Sequence, residues 1–187
     1  MGAGCRKYSR RFCLATICGL AAGAGAARWV GKLGRAPTGP WRVLTPEEAA
    51  LVDAVSEQII PADRDPGARE AGVVHFIDRQ LDGPYKPLAD TYRKGLRCLA
   101  QTSQALFGLP FERLDWPDQT RLLRAMESGK VPAGLWTDPS SREFFGLLRE
   151  HTMQGFYGSP RHGGNKNYVS YRMMGLEYPR VIGQNRY

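Results

Sequence analysis

The side chains able to do chemistry are few: three histidines and four cysteines in 187 residues. His75 and His151 fall in stretches of helical periodicity, and His162 in a glycine-rich segment. Glu150 precedes His151 directly, so on a helix the two side chains point in different directions. No His-Glu-x-x-His, Gly-x-Ser-x-Gly or clustered Asp/Glu/His spacing occurs, and each of these would be needed for the corresponding hydrolytic chemistry. The histidines therefore read as structural, with His162 the one worth testing. Cys5, Cys13 and Cys18 lie near the start of the chain, which leaves Cys98 alone in the body. One thiol makes no internal disulfide, and the Cys-x-x-Cys spacing of zinc and haem sites is missing. Cys98 reads as a small buried hydrophobe on a helix. Gly163-Gly164-Asn165-Lys166 has neither the spacing nor the following Ser/Thr of a phosphate-cradling loop, and no Gly-x-Gly-x-x-Gly is present. The sequence thus predicts no catalytic residue, no metal site and no cofactor site in this chain.

The arginine pair carries more information. Arg6, Lys7, Arg10 and Arg11 form a basic head with no acid among them, followed by an uncharged Ala/Gly-rich run from Phe12 to Ala27. A basic head, an apolar middle and small residues at the end are the parts of an export signal. The run is about 16 residues, short of the ~20 that span a bilayer. Ala22-Gly23-Ala24 and Ala24-Gly25-Ala26 both fit small-x-small cleavage. Ser9-Arg10-Arg11-Phe12-Cys13-Leu14 resembles the twin-arginine export consensus, slightly compressed, with Arg10, Arg11, Phe12 and Leu14 as its readable residues. Residues 1–27 are accordingly expected to be a twin-arginine signal peptide, which places the rest in the periplasm. The twin-arginine route moves proteins that have already folded. The formal charge is +8, but half of that excess belongs to the signal, and the body has no Lys/Arg run interleaved with aromatics. Nucleic acid is not an expected partner.

Residues 28–44, with Gly31, Gly34, Pro37, Gly39 and Pro40, read as a linker. The body, 45–187, reads as helices. Thr45-Pro46-Glu47-Glu48 opens the first with a capping box, and Pro61 ends it. Val74, Ile77 and Leu81 mark a second, stopped by Gly83-Pro84. Leu88, Tyr92, Leu96, Leu99 and Leu106 line a longer third. Asp115-Trp116-Pro117-Asp118 caps a fourth, and Asp138-Pro139 is read as opening a fifth that carries Phe144, Phe145, Leu147, Leu148 and Thr152. Burial of these stripes predicts an all-α bundle of about five helices. From Gly155 onward glycines and aromatics alternate with little period. Such a segment is either disordered or held by aromatic anchors, and its composition favours an ordered interaction segment over 155–187. Phe156, Tyr157, Tyr168 and Tyr171 are the expected anchors, with Gly158, Gly163 and Gly164 allowing the backbone to turn.

Gly155-Phe156-Tyr157-Gly158-Ser159-Pro160, followed by Gly163-Gly164-Asn165, resembles the C-terminal signature of the gluconate 2-dehydrogenase subunit 3 family. Leu44-Thr45-Pro46-Glu47-Glu48 and Ile59-Ile60-Pro61-Ala62-Asp63 resemble its N-terminal block. The resemblance implies a non-catalytic, cofactor-free small subunit that carries the export signal. It implies a large FAD-dependent (GMC-type) sugar or polyol dehydrogenase as partner, often with a multihaem cytochrome c, and only indirect membrane association. It adds Pro160 and Asn165 to the expected partner-binding set. Where the family continues after Asn165 with a Gly-Trp pair, this chain has Ser170-Tyr171-Arg172. The other class compatible with the sequence is a stand-alone exported helical enzyme or binding protein.

Overall fold

Thr45 opens the first helix as its sequence predicts. Its hydroxyl accepts the Glu48 N–H at 3.2 Å, and the Glu48 carboxylate accepts the Thr45 N–H at 2.9 Å, closing the capping box. The computed structural model describes residues 41–176. In it α1 (Pro46–Ile59) is followed by a short α2 (Ala68–Ala71), α3 (Val73–Leu81), α4 (Ala89–Phe107), α5 (Trp116–Ser128), α6 (Ser141–Tyr157) and a final α7 (Val169–Met173). The described residues are all-α and contain no strand. None of their helices is long and apolar enough to cross a membrane.

The core is built around α6, which packs against every other α-helix. Phe144, Phe145, Leu148 and Phe156 supply its inward face, meeting Val52 and Val55 of α1, Ile77 of α3, Leu96 and Leu99 of α4, and Leu122 and Met126 of α5. Burying such a side chain is worth about 1.5–3 kcal/mol, so the apolar face of α6 contributes strongly to cohesion. Gly95 permits its closest crossing: a Cβ there would lie 2.3 Å from the Phe144 ring. α5 begins where expected, with the Asp115 carboxylate accepting the Asp118 N–H at 2.9 Å.

The structure corrects four local readings. α6 starts after Ser140, not at Asp138-Pro139. Ser140 and Glu143 form a second capping box, which satisfies the N-terminal amides that proline cannot. The same helix continues through Gly155 to Tyr157, because Gly155 is where Phe76 of α3 lies closest to α6. Leu106 is exposed and Cys98 is half-buried, since the buried face of α4 runs through Tyr92, Gly95, Leu96, Leu99, Thr102 and Ser103. The end of the expected linker is pinned to the body. The buried carboxylate of Asp78 on α3 accepts the backbone N–H groups of Arg42, Val43 and Leu44 at 2.9, 3.0 and 3.0 Å. Leu44 enters the core, and Trp41 stacks on His75 with ring centroids 5.0 Å apart.

Candidate partner-binding surface

After Tyr157 the chain reverses and is stapled back onto α6. Gly158 ends the helix, a 3-10 turn covers Pro160–His162, and Gly163 takes the left-handed φ of 105°. Gly164 then passes so close to α6 that a Cβ would lie 2.1 Å from the Gly155 carbonyl oxygen, which only glycine allows. That carbonyl accepts the Asn165 N–H at 2.9 Å. Asn165, fully buried, completes the staple. Its Nδ2 donates to the Gly158 carbonyl at 2.9 Å, and its Oδ1 accepts the Ser170 N–H at 3.0 Å. Asn165, Asn167 and Tyr168 all have positive φ, at 44°, 55° and 57°. Asparagine tolerates this region; a bulky aromatic there carries a backbone cost of about 1–3 kcal/mol, met by the surrounding staple.

Residues 158–173 thus fold back onto the body, which sorts the expected anchors; the rest of the expected segment, 177–187, lies outside the described residues. Phe156 is 1% exposed and belongs to the hydrophobic core. Asn165 is interior as well. For these two the expectation of a partner contact gives way to an internal role, because no surface of either is left for a partner. Gly164 is buried for the same reason. Tyr157 points the other way, 39% exposed, its ring edge-on to Phe156 at 4.8 Å. Pro160, Gly158 and Gly163 are half-buried along the turn, and Tyr168 and Tyr171 are half-buried with ring centroids 6.1 Å apart. Arg10, Arg11, Phe12 and Leu14 lie outside the described residues.

Beside the staple lies an open groove of about 600 Å³, formed by Phe76 and Gln80 of α3, Tyr85, Met153, Gln154 and Tyr157 of α6, and His162. Met153 is 44% exposed and sits one helical turn from Tyr157, so both present one face. Gln80 Nε2 donates to the His162 carbonyl at 3.3 Å and ties the turn to α3. Next to this groove a second, smaller concavity gathers Arg42, Arg79, Asp82 and Arg161, sharing Gln80 and His162 with the first.

Behind the groove the polar groups are occupied by one another. Tyr85 donates to Gln154 and stacks on His151 at 4.3 Å. Burial first, and then Glu150, push its phenol up from the ordinary value. Tyr92 Oη and His151 Nδ1 share a 2.8 Å hydrogen bond deep in the interior. Burial holds His151 below the usual imidazole value, against the opposite pull of Glu150. Asp53 of α1 is also buried, and desolvation raises its carboxyl despite the Arg69 guanidinium 2.7 Å away. No group of three or more His, Cys, Asp or Glu is placed to hold a metal ion among the described residues. His162 Nε2 accepts from Arg161 Nε at 3.0 Å.

The family model for gluconate 2-dehydrogenase subunit 3 matches residues 46–177, from the first helix to the end of the stapled segment. The chain belongs to the gluconate 2-dehydrogenase subunit 3 family. Membership makes it a subunit of a dehydrogenase complex with other subunits, and the match includes the stapled segment. No curated protein and no solved structure matches. The sequence singles out the segment from Gly155 onward but reveals neither its staple onto α6 nor the roles of Arg79, Tyr85 and Met153. Those residues meet only in three dimensions, and the one local signal was an exposed Met-x-x-x-Tyr pair at the end of a helix otherwise apolar on the opposite side.

Proposed function

We propose that this member of the subunit 3 family is the non-catalytic small subunit of an exported flavin-dependent dehydrogenase. It would carry the twin-arginine signal for the complex and support the folding and export of a large, FAD-containing GMC-type subunit to the periplasm. A multihaem cytochrome c is the expected third component, and the membrane is reached only through the complex. The observation that carries the reading is the family match over the whole helical body and the stapled C-terminal segment. The buried polar groups support it: His151, Tyr92 and Asp53 are each engaged inside the fold, leaving a preformed surface. The Arg-Arg pair at positions 10 and 11 supports export.

The test is co-expression with the large subunit and fractionation of the cell. The large subunit should co-purify with this chain from the periplasm. Replacing Arg10 and Arg11 by Lys should leave both inside the cell, because paired guanidinium groups are read as an address that ammonium groups do not reproduce. Normal export of the double variant would remove the twin-arginine role, and a stoichiometric flavin on the isolated chain would remove the non-catalytic one.

A further inference from the structure

The groove and its basic neighbour together specify what docks there, an inference that rests on the small-subunit reading above. We propose that the groove receives an acidic segment of the large catalytic subunit. One apolar side chain of that segment seats between Tyr85, Met153 and Tyr157, and carboxylates beside it meet Arg79 and Arg161.

The apolar half follows from exposure and rigidity. Met153 and Tyr157 leave 44% and 39% of their surface uncovered on one face of α6, and Tyr85 is fixed between them and α3 by its bond to Gln154 and its stack on His151. Methionine adapts its shape to an incoming side chain, and held tyrosine rings give contact area at little entropic cost. The charged half follows from the ion-pair inventory. Arg42 in the rim is matched by Asp82 at 3.0 Å. Arg79 and Arg161 are exposed and meet no carboxylate within ion-pair distance among the described residues; Arg161 Nε is directed at the His162 ring instead. Glu150, exposed and outside any ion pair among the described residues, accepts from Gln154 and acts on Tyr85, so two unpaired guanidinium groups stand against one carboxylate and the net charge bordering the apolar floor is positive. The rim is also preorganised, since Gln80 and the Asn165 staple hold the 160–163 turn before any partner arrives. A free phosphate or a phosphate backbone would use the arginines but not the apolar floor. An acidic peptide segment with a hydrophobic residue uses both, with steering from the charges and residence time from the anchor.

The experiment uses the full chain with the co-expressed large subunit, affinity being measured by titration of the purified subunits at 50 and 500 mM salt. Arg79→Glu with Arg161→Glu should weaken the complex by about 30-fold or more at low salt. Arg97→Glu with Arg124→Glu makes the same charge change at exposed arginines outside the groove and should leave affinity within about threefold. Wild-type binding should weaken with salt, and the groove double variant should lose most of that dependence. Circular dichroism on both double variants checks that the helices are retained. A photo-crosslinking residue at position 153 identifies the occupant, and the expected adduct is a segment of the large subunit rich in Asp and Glu. An adduct with a second copy of this chain, with lipid or with an uncharged segment overturns the inference, as does equal binding by the two double variants. If no large subunit associates with the wild-type chain under any condition, the small-subunit reading itself falls. A complex that forms but ignores the groove removes only the inference.

Discussion

Asn165→Ala is the most informative single change, because one buried side chain holds the whole C-terminal reversal. Three costs add. The Ser170 N–H loses its acceptor at 3.0 Å in a buried setting, and an orphaned buried donor costs about 1–3 kcal/mol. The Gly158 carbonyl loses its donor at 2.9 Å but lies nearer the surface, so about 1 kcal/mol is appropriate. The residue sits at φ 44° and ψ 42°, where alanine costs about 1 kcal/mol more than asparagine. The total is about 3–5 kcal/mol, a large part of the stability of a domain this size. Thermal unfolding of the isolated, signal-free chain by circular dichroism should show a fall in Tm of about 6–20 °C. Asn165→Gly separates the contributions. It removes the same hydrogen bonds but relaxes the backbone, so it should be about 1 kcal/mol less damaging than alanine. Tyr157 and His162 would shift with the loosened turn, and partner affinity should fall in step with stability. A Tm within 2 °C of wild type for Asn165→Ala, on the order of less than 1 kcal/mol, would refute the staple as the element that orders the segment.

Two further outcomes follow from buried polar groups. Asp78→Ala removes the shared acceptor of three backbone amides. It should destabilise the body by about 3–4 kcal/mol, and limited proteolysis should then cut within residues 40–45, where the wild-type chain resists. For His151 the sign is set by its depressed folded value: below about pH 6.5 the unfolded chain takes up a proton that the folded one refuses. Stability from this residue should be full above that pH and fall as the medium is acidified, so Tm should drop between pH 7 and 5 more steeply than in His151→Gln, and parallel curves for the two chains would contradict it.

What could be read from the sequence divides by range. The caps at Thr45 and Asp115 were legible because a cap is a hydrogen bond to a residue three positions on, written entirely in four letters. The same rule, applied to Ser140-Ser141-Arg142-Glu143, would have started α6 correctly; Asp138-Pro139 drew attention because proline is the louder signal. α2, four residues long, is below the length at which periodicity can be recognised. The helical period fades at Gly155 in the sequence, yet α6 runs on to Tyr157, and a Cβ at Gly155 would lie 3.0 Å from the Phe76 ring. The family signature told that 155–165 matters, but not that Phe156 and Asn165 work inward while Tyr157 works outward. That choice depends on what α3 covers. Asp78 was invisible for the same reason: an acid beside an apolar stripe looks like a solvated neighbour until backbone amides 34 to 36 residues earlier come to meet it.

The central position of α6 bears on how the subunit would respond to being bound. One end of this helix supplies Met153 and Tyr157 to the groove, and the other buries Phe144 and Phe145 between α4 and α5. Every other α-helix packs on this one rod, so opening any of them disturbs contacts with α6. A ligand held at Tyr157 therefore suppresses excursions of the entire body, and the protection grows as RT ln(1 + [L]/Kd) everywhere at once. Amide hydrogens in α5, which contributes nothing to the groove, would exchange more slowly when the groove is filled. Being folded and being occupied become a single cooperative equilibrium, so that an empty groove and a filled one differ in the degree of order of the whole body.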